Sequence, residues 1–410
     1  MTDLLVTAGL VLPTGAGQPI ADGAVLVRDG RIAAVGTTGE LGPAAGPATP
    51  RWDFPTGTIL PGLIDCHVHL VFDAGDDPVT ALRATGDEAL LLQMAGHARE
   101  LLDVGVTTVR DLGDRNGLAI RLREAVAGGV LPGPRILTAG APITVTGGHC
   151  WYLGGQADGD DTIRRVLRRN LQQGADLVKV MVTGGMITPA GPPQWEPQFS
   201  TAEIALVVAE AHRFGRRVAA HAHGVAGIRA AVEAGVDTLE HASFTSAEGL
   251  ATAAPAARDE LIDRIAARGI AVCPTLNGGI GDRVTRIGTD GLRRLLDLVG
   301  EEHRRGVRLV VGTDAGIPGS RFDLYPQALP WYAKAGLSNA DVLDAATTGA
   351  AQALGVDGLT GSLAPGLAAD LLVVDGNPLL DLAALAEPRL VLAAGRPHLP
   401  SVTAGHPSSY

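Results

Sequence analysis

From about residue 58 onward, short apolar runs rich in β-branched residues alternate with longer stretches in which apolar positions recur at helical spacing. The runs "ILPGLIDCHVHL", "VTTVRDLG", "PRILTAGAPIT", "LVKVMVTGG", "RVAAHAHG", "DTLEHASF", "IAVCPTL" and "RLVVGTDAG" read as strands. Between them, 86 to 104, 160 to 173, 200 to 214, 225 to 234, 258 to 268 and 290 to 305 read as helices. A last helix is predicted to begin at Ser338, a natural N-cap with Asp341 in the first turn, where a carboxylate favours the helix dipole. Such alternation implies parallel strands joined by crossover helices. Eight units in series predict an α/β fold closed as a (β/α)8 TIM barrel, since an open doubly wound sheet usually stops at fewer strands.

The two ends follow a different pattern. "GAVLVRDGRIAAVG" is a pair of alternating runs around Asp29-Gly30, a dipeptide that tolerates the positive φ of a type I′ hairpin turn. "AADLLVVDGNP" and "RLVLAAGR" near the other end are again strand-like. Neither end buries a face alone, so the two are expected to pair in a small β-sandwich made of residues 1–57 and 356–410, beside a barrel of residues 58–355. "GELGPAAGPATP" reads as a loop, and the closing "GHPSSY" is expected to fray.

Composition narrows the function classes. A formal net charge of -11 leaves no basic footprint for nucleic acid. The opening "MTDLLVTAGLVLPTG" has an acid at Asp3, no basic segment and no run of membrane-spanning length, so neither a signal peptide nor a membrane helix is expected and a cytoplasmic location follows. Cys66, Cys150 and Cys273 form a sparse, odd set without CxxC spacing, read as structural.

Barrel strands bury both faces, so each polar side chain on them calls for a partner. Period two puts Asp65, His67 and His69 on one face of their strand. It turns Lys179 away from the β-branched row Val178, Val180 and Val182, and therefore inward. The same count pairs His221 with His223, sets His241 with Leu239 and Ser243, and sets Asp314 with Gly312 and Val310. All lie near the C-terminal ends of their strands, the end at which this architecture builds active sites. Imidazoles and a carboxylate converging there are ligands for zinc and similar divalent ions, and an HxH pair on one face can grip a single ion.

Lys179 is one of two lysines among 33 basic residues, the other being Lys334. Burial among cation-binding histidines lowers an amine's pKa and leaves it nucleophilic. A neutral amine adds carbon dioxide to give a carbamate able to bridge two metals, which arginine cannot do. The alternative is a structural ammonium paired with Asp65 or Asp314.

In this order, "GLIDCHVHL", "VKVMVTGG", "AHAHG", "LEHAS" and "GTDAG", followed by "GSLAPGLAADLLVVDGNP", resemble the metal-dependent amidohydrolase superfamily, above all its imidazolonepropionase-like and Xaa-Pro dipeptidase-like members. The resemblance spans nearly the whole chain. It implies two divalent metal ions, expected to be zinc: His67, His69 and Asp314 on one, His221 and His241 on the other, and a CO2-derived carbamate on Lys179 between them. Choosing His221 over His223 rests on the resemblance, because strand parity allows either. Imidazolonepropionases generally hold one metal and lack the bridging lysine, so Lys179 points away from that substrate. The implied reaction is hydrolysis of amide bonds in small molecules, dipeptides or N-acyl amino acids, with Asp314 shuttling the proton from water to the leaving amine. Cyclic amides, lactones and esters are the alternative substrates of such machinery, and a metal-free scaffold is the non-enzymatic one.

Substrate contacts are expected from His149 and Tyr152 in the glycine-rich "TVTGGHCWYLGG", and from His223. The long "MITPAGPPQWEPQF", which carries Trp195, would be a lid or a subunit contact, in keeping with an expected homo-oligomer acting on a small-molecule substrate with no nucleic acid and no membrane partner. Arg110 and Asp111 are expected to form a structural ion pair. His97, His212, His303, His398 and His406 stay outside the site.

Overall fold

The computed structural model describes residues 3–281 and 284–400; "GHPSSY" and His406 lie outside the described residues. Strands β1 (Leu4–Val11), β2 (Ile20–Arg28), β3 (Arg31–Thr37) and β4 (Arg51–Pro61) precede the βα units. Those carry β5 (Leu63–Val68), β6 (Val106–Asp111), β7 (Arg135–Thr138), β8 (Val178–Met181), β9 (Val218–Ala222), β10 (Thr238–His241), β11 (Ala271–Cys273) and β12 (Arg308–Leu309). The chain then adds β13 (Leu371–Asp375), β14 (Pro388–Ala393) and β15 (Arg396–His398).

The fold is mixed α/β with parallel sheets: β5-β6-β7 form one, and β8 to β12 in sequence order form another. Backbone hydrogen bonds cross both gaps between them. On one side Cys66 N donates to Val311 O (2.9 Å) and His69 N to Ala315 O (2.8 Å). On the other Ile143 N donates to Lys179 O and Met181 N to Ile143 O, each 2.8 Å. The helices between strands include Asp87–Asp103, Asp160–Gln173, Thr201–Arg213 and Val225–Ala234, and pack on the outward-facing Val180, Val218, Leu239 and Val272. Among the described residues no helix is long and apolar enough to cross a membrane.

Strands from both ends join one seven-stranded sheet, order β15-β14-β13-β4-β1-β2-β3. Asp29 and Gly30 turn β2 into β3 with φ of 49° and 75°, as the hairpin signal requires. Alternate residues divide the faces of this sheet. Val6, Val25, Ile59, Val373 and Leu390 form one apolar cluster, while Leu60, Leu372 and Val374 pack into the main core.

Three local expectations change. "ILPGLIDCHVHL" is not one strand: β4 ends at Pro61 and β5 starts at Leu63, because a side chain at Gly62 would meet Thr107 Oγ1 at 2.0 Å and the backbone turns there to Asp370 O. "GELGPAAGPATP" is helical over Thr38–Ala45, where Thr37 and Glu40 form a capping box that proline and glycine composition concealed. "RLVVGTDAG" is a regular strand only over Arg308–Leu309, and Val310 to Asp314 continue as irregular backbone bonded to β5 and β11. The Ser338 cap is present, with its capping box to Asp341.

Candidate metal centre

Two irregularities decide which side chains reach the interior. The β5–β6 register slips between Asp65 and Val68, so that three residues of β5 span two of β6. Cys66 therefore packs inward with Ile64, Cys273 and Val310, while its neighbour His67 also faces the interior and meets Glu240 there. Asp65 does not share the face of His67 and His69 as period two suggests. Its Oδ1 accepts from His67 N (3.1 Å) and Thr313 N (3.0 Å), and its Oδ2 from Thr313 Oγ1 (2.6 Å). Burial pushes this carboxyl up to about 7.

On β10 the inward residues are Thr238 and Glu240, and Leu239 joins the outer core. Parity alone would send His241 outward with Leu239. A left-handed backbone at His241 (φ 71°) ends the strand and brings the ring to the site, whereas Asp314, also left-handed (φ 55°), shares the inward parity of Val310 and Gly312.

Two donor groups result, each with its atoms within 4.8 Å of one another: His67, His69 and Asp314, and His221, His223 and His241. Asp314 Oδ1 lies 3.4 Å from His67 Nε2 and 3.5 Å from His69 Nε2. The ring of His241 is 4.7 Å from that of His221, 4.5 Å from that of His223 and 5.2 Å from that of His67, so the two groups adjoin. Each imidazole spends one nitrogen on the protein. His69 Nδ1 meets Gly113 O (3.2 Å), His221 Nε2 meets Gly184 O (2.9 Å), His223 Nδ1 meets Ser243 Oγ (2.7 Å) and His241 Nδ1 meets Thr275 Oγ1 (2.9 Å). The opposite nitrogen of each ring is left for a ligand. Burial, reinforced by Lys179 and neighbouring imidazoles, holds His67, His221 and His241 well below the usual histidine value and His223 at about 3. These rings stay neutral, as metal ligation requires.

Lys179 lies between Val178 and Val180 of the outer core and is itself 1% exposed. Its nearest electrostatic partners are Glu240 and Asp314, which favour the ammonium, and Arg110, which opposes it; burial outweighs them and pulls its pKa down. Nζ has no hydrogen-bond partner among the described residues. Asp65, one of the two acids the structural alternative would use, is committed to Thr313 and the His67 amide.

The His149 ring lies 4.6 Å from that of His221, tilted by 37°, and is held at about 3 by burial and by His223 and Lys179. Its Nδ1 meets Thr188 Oγ1 (2.9 Å), and its backbone N donates to Gln198 Oε1 (2.6 Å), so the segment after β8 fixes the one after β7. Tyr152 is tied back, its hydroxyl donating to Ile187 O at 3.1 Å. Trp195 lies in the same long segment, where its backbone closes over Gly224.

Arg110 does not pair with Asp111. It donates to Glu240 Oε1 (2.7 Å), Cys66 O (2.6 Å) and Thr238 Oγ1 (2.9 Å), whereas Asp111 accepts from Leu70 N and Gly113 N. Glu240 is the site residue that sequence reasoning missed; the period-two match of Thr238 with Glu240, rather than with His241, was the available signal. His97, His212, His303 and His398 bind Leu70 O, Asp237, Asp341 and Asp103 respectively, away from the cluster.

The model of the amidohydrolase family matches residues 58–397, which contain every one of these donors. The chain belongs to the amidohydrolase family. A second match, to the bacterial imidazolonepropionase-like composite domain, covers residues 23–45. This amidohydrolase is 30% identical to the ochratoxinase of Aspergillus niger over 94% of its own length and 84% of that protein. It is 29% identical to the imidazolonepropionase of Salinispora tropica, over 91% and 92% of the two chains. A solved Xaa-Pro dipeptidase with methionine in its active site superposes with a TM-score of 0.83 at 27% identity, covering 97% of this chain and 100% of that one. The amidohydrolase is thus a hydrolase acting on amide or peptide bonds, in a family that is generally metal-dependent.

Proposed function

We propose that this chain is a binuclear amidohydrolase that cleaves the amide bond of dipeptides or N-acyl amino acids. The observation that carries the reading is a pair of three-donor groups together with a buried lysine whose charge acts on His67, His221, His223 and His241 and whose Nζ has no hydrogen-bond partner among the described residues. The donor set fits divalent cations such as zinc: neutral imidazoles, one carboxylate, and protein partners on the far ring nitrogens. His67, His69 and Asp314 would hold one cation and His221 and His241 the other, with a carbamate on Lys179 as a further ligand. When bound, the pair would supply Lewis acidity toward the scissile carbonyl and a water made acidic enough to attack at neutral pH.

The chain's own residues supply the rest. Asp314 is the one carboxylate of the two donor groups, and it takes the proton that hydrolysis moves from water to the departing amine. His149, neutral and buried beside the donors, and His223, the member of the second group not assigned to a cation, would contact a substrate carboxylate or carbonyl oxygen. Tyr152 contributes indirectly, since its hydroxyl braces Ile187 next to Thr188. The four backbone bonds that cross between the parallel sheets support a closed (β/α)8 barrel over residues 58–355, with the remaining strands as a satellite β-domain. The match to a Xaa-Pro dipeptidase makes dipeptides the first substrates to try.

The test is metal analysis of purified protein combined with turnover of a panel of dipeptides, including Xaa-Pro, together with N-acyl amino acids, cyclic amides and lactones. Two equivalents of metal, loss of turnover on chelation and its return on adding zinc, manganese or cobalt are expected. Lys179→Met should retain less than two equivalents and lose the carbamate carbon signal seen with ¹³C-bicarbonate. Full turnover in chelator, or a Lys179→Met protein with unchanged metal content, would overturn the reading.

A further inference from the structure

We propose that Glu240, clamped by Arg110 and Thr238, is a positioning residue that fixes the tautomer and donor strength of His67. The inference rests on the metal reading above and concerns a residue outside both donor groups. Glu240 is 0% exposed, and its two oxygens are divided between different tasks. Oε1 accepts from Arg110 Nη2 (2.7 Å) and Thr238 Oγ1 (2.7 Å), and Oε2 meets His67 Nδ1 (2.9 Å). A carboxylate paired with a guanidinium can only accept, so Nδ1 of His67 carries the hydrogen and its lone pair sits on Nε2. Nε2 is the nitrogen that faces Asp314 at 3.4 Å.

The other four donor histidines lean on neutral acceptors or hydroxyls: Gly113 O, Gly184 O, Ser243 Oγ and Thr275 Oγ1. His67 alone among them has a full negative charge behind its ring. A carboxylate behind an imidazole raises ligand basicity more than a carbonyl does and locks the ring plane, and loss of such a partner commonly weakens metal binding by roughly 10–100-fold. His67 is therefore the anchoring ligand of its cation.

The same atoms admit a rival reading, because His67, Glu240 and Cys273 also lie within 4.8 Å of one another and satisfy the spacing of an ion site. Chemistry rejects it. Arg110 places a permanent cation on the carboxylate that would have to ligate, His67 Nδ1 is already bonded to that carboxylate, and burial pushes the Cys273 thiol well up, so no thiolate forms. Arg110, Thr238 and Glu240 are instead outer support for the donor group, built on β6 and β10 so that two strands on opposite sides of the interior hold a ligand borne by β5.

Two measurements test this. The first is made on the metal-free wild type with ¹⁵N-labelled histidine: the Nδ1–H resonance lost in His67→Asn should lie downfield of those from His69 and His97, whose Nδ1 atoms face carbonyl oxygens. The second is cobalt(II) binding by equilibrium dialysis and visible spectroscopy. Glu240→Gln keeps the shape but removes the charge, and should bind one of the two ions 10–100-fold more weakly with an altered d–d spectrum, at an unchanged affinity for the other. If that variant fails to fold because Arg110 is left unpaired, the Arg110→Met/Glu240→Met double variant removes both charges and should show the same loss. A wild type without the Nδ1–H signal, or a variant with wild-type cobalt affinity and spectrum, overturns the proposal. Wild-type protein that takes up no cobalt instead sinks the metal reading, while the resonance still decides the tautomer.

Discussion

The site histidines make the metal-free protein sensitive to acid, and the size of the effect follows from their burial. His149 and His223 are 5% and 9% exposed, and burial holds both at about 3 against 6.5 for a free imidazole. An unfolded chain takes up a proton on each near 6.5, while the fold refuses it until about 3. Stability is therefore complete above pH 6.5 and drains away as the pH falls toward 3. One unit is worth about 1.4 kcal/mol, so bringing one such group to pH 5 removes about 2 kcal/mol and the pair about 4 kcal/mol. That is a large share of the roughly 5–15 kcal/mol that holds a domain folded. Asp65 and Asp114 work in the other direction. Burial raises them to about 7 and about 8, so they stabilise the fold as the pH drops through those values. A bare pH profile sums the two, and the histidine part is read as a difference between variants. Urea unfolding at pH 7 and pH 5, in chelator, should show the His149→Asn/His223→Asn variant losing about 4 kcal/mol less than wild type on acidification. Any cavity cost of the substitutions is the same at both pH values and cancels. Equal losses in the two proteins would refute the reasoning.

Asp314→Asn should lower kcat by about 10²–10⁴-fold while retaining much of the bound metal, checked by steady-state kinetics beside metal analysis; wild-type kcat would remove Asp314 from proton transfer. A side chain at Gly185 would meet His149 Cε1 and Nε2 at 2.3 Å. Gly185→Ala should therefore displace that ring and raise KM about tenfold, by roughly 1.4 kcal/mol of lost binding, with kcat less affected; an unchanged KM would separate His149 from the substrate. Leu239 is fully buried in the outer core, so Leu239→Ala should cost about 2–5 kcal/mol in urea unfolding, and a loss under 1 kcal/mol would contradict the outward assignment of its side chain.

The sequence by itself determined the run of strand and helix, the β2–β3 hairpin and the Ser338 cap, because each depends on residues close in the chain. Periodicity turns Lys179 inward beside Val178 and Val180, and the HxH spacing brings His67 with His69 and His221 with His223. What it could not supply were the departures from regular backbone. The slip in β5 lets Cys66 and His67 both approach the interior and sends Asp65 to Thr313, and the left-handed φ at His241 reverses the side on which its ring emerges. Both are enforced by neighbouring strands rather than by local propensity. The partnership of Arg110 with Glu240, 130 positions apart, is likewise a product of packing. In a dry interior a buried charge must find its opposite, and which one lies within reach is set by how the strands are brought around one another.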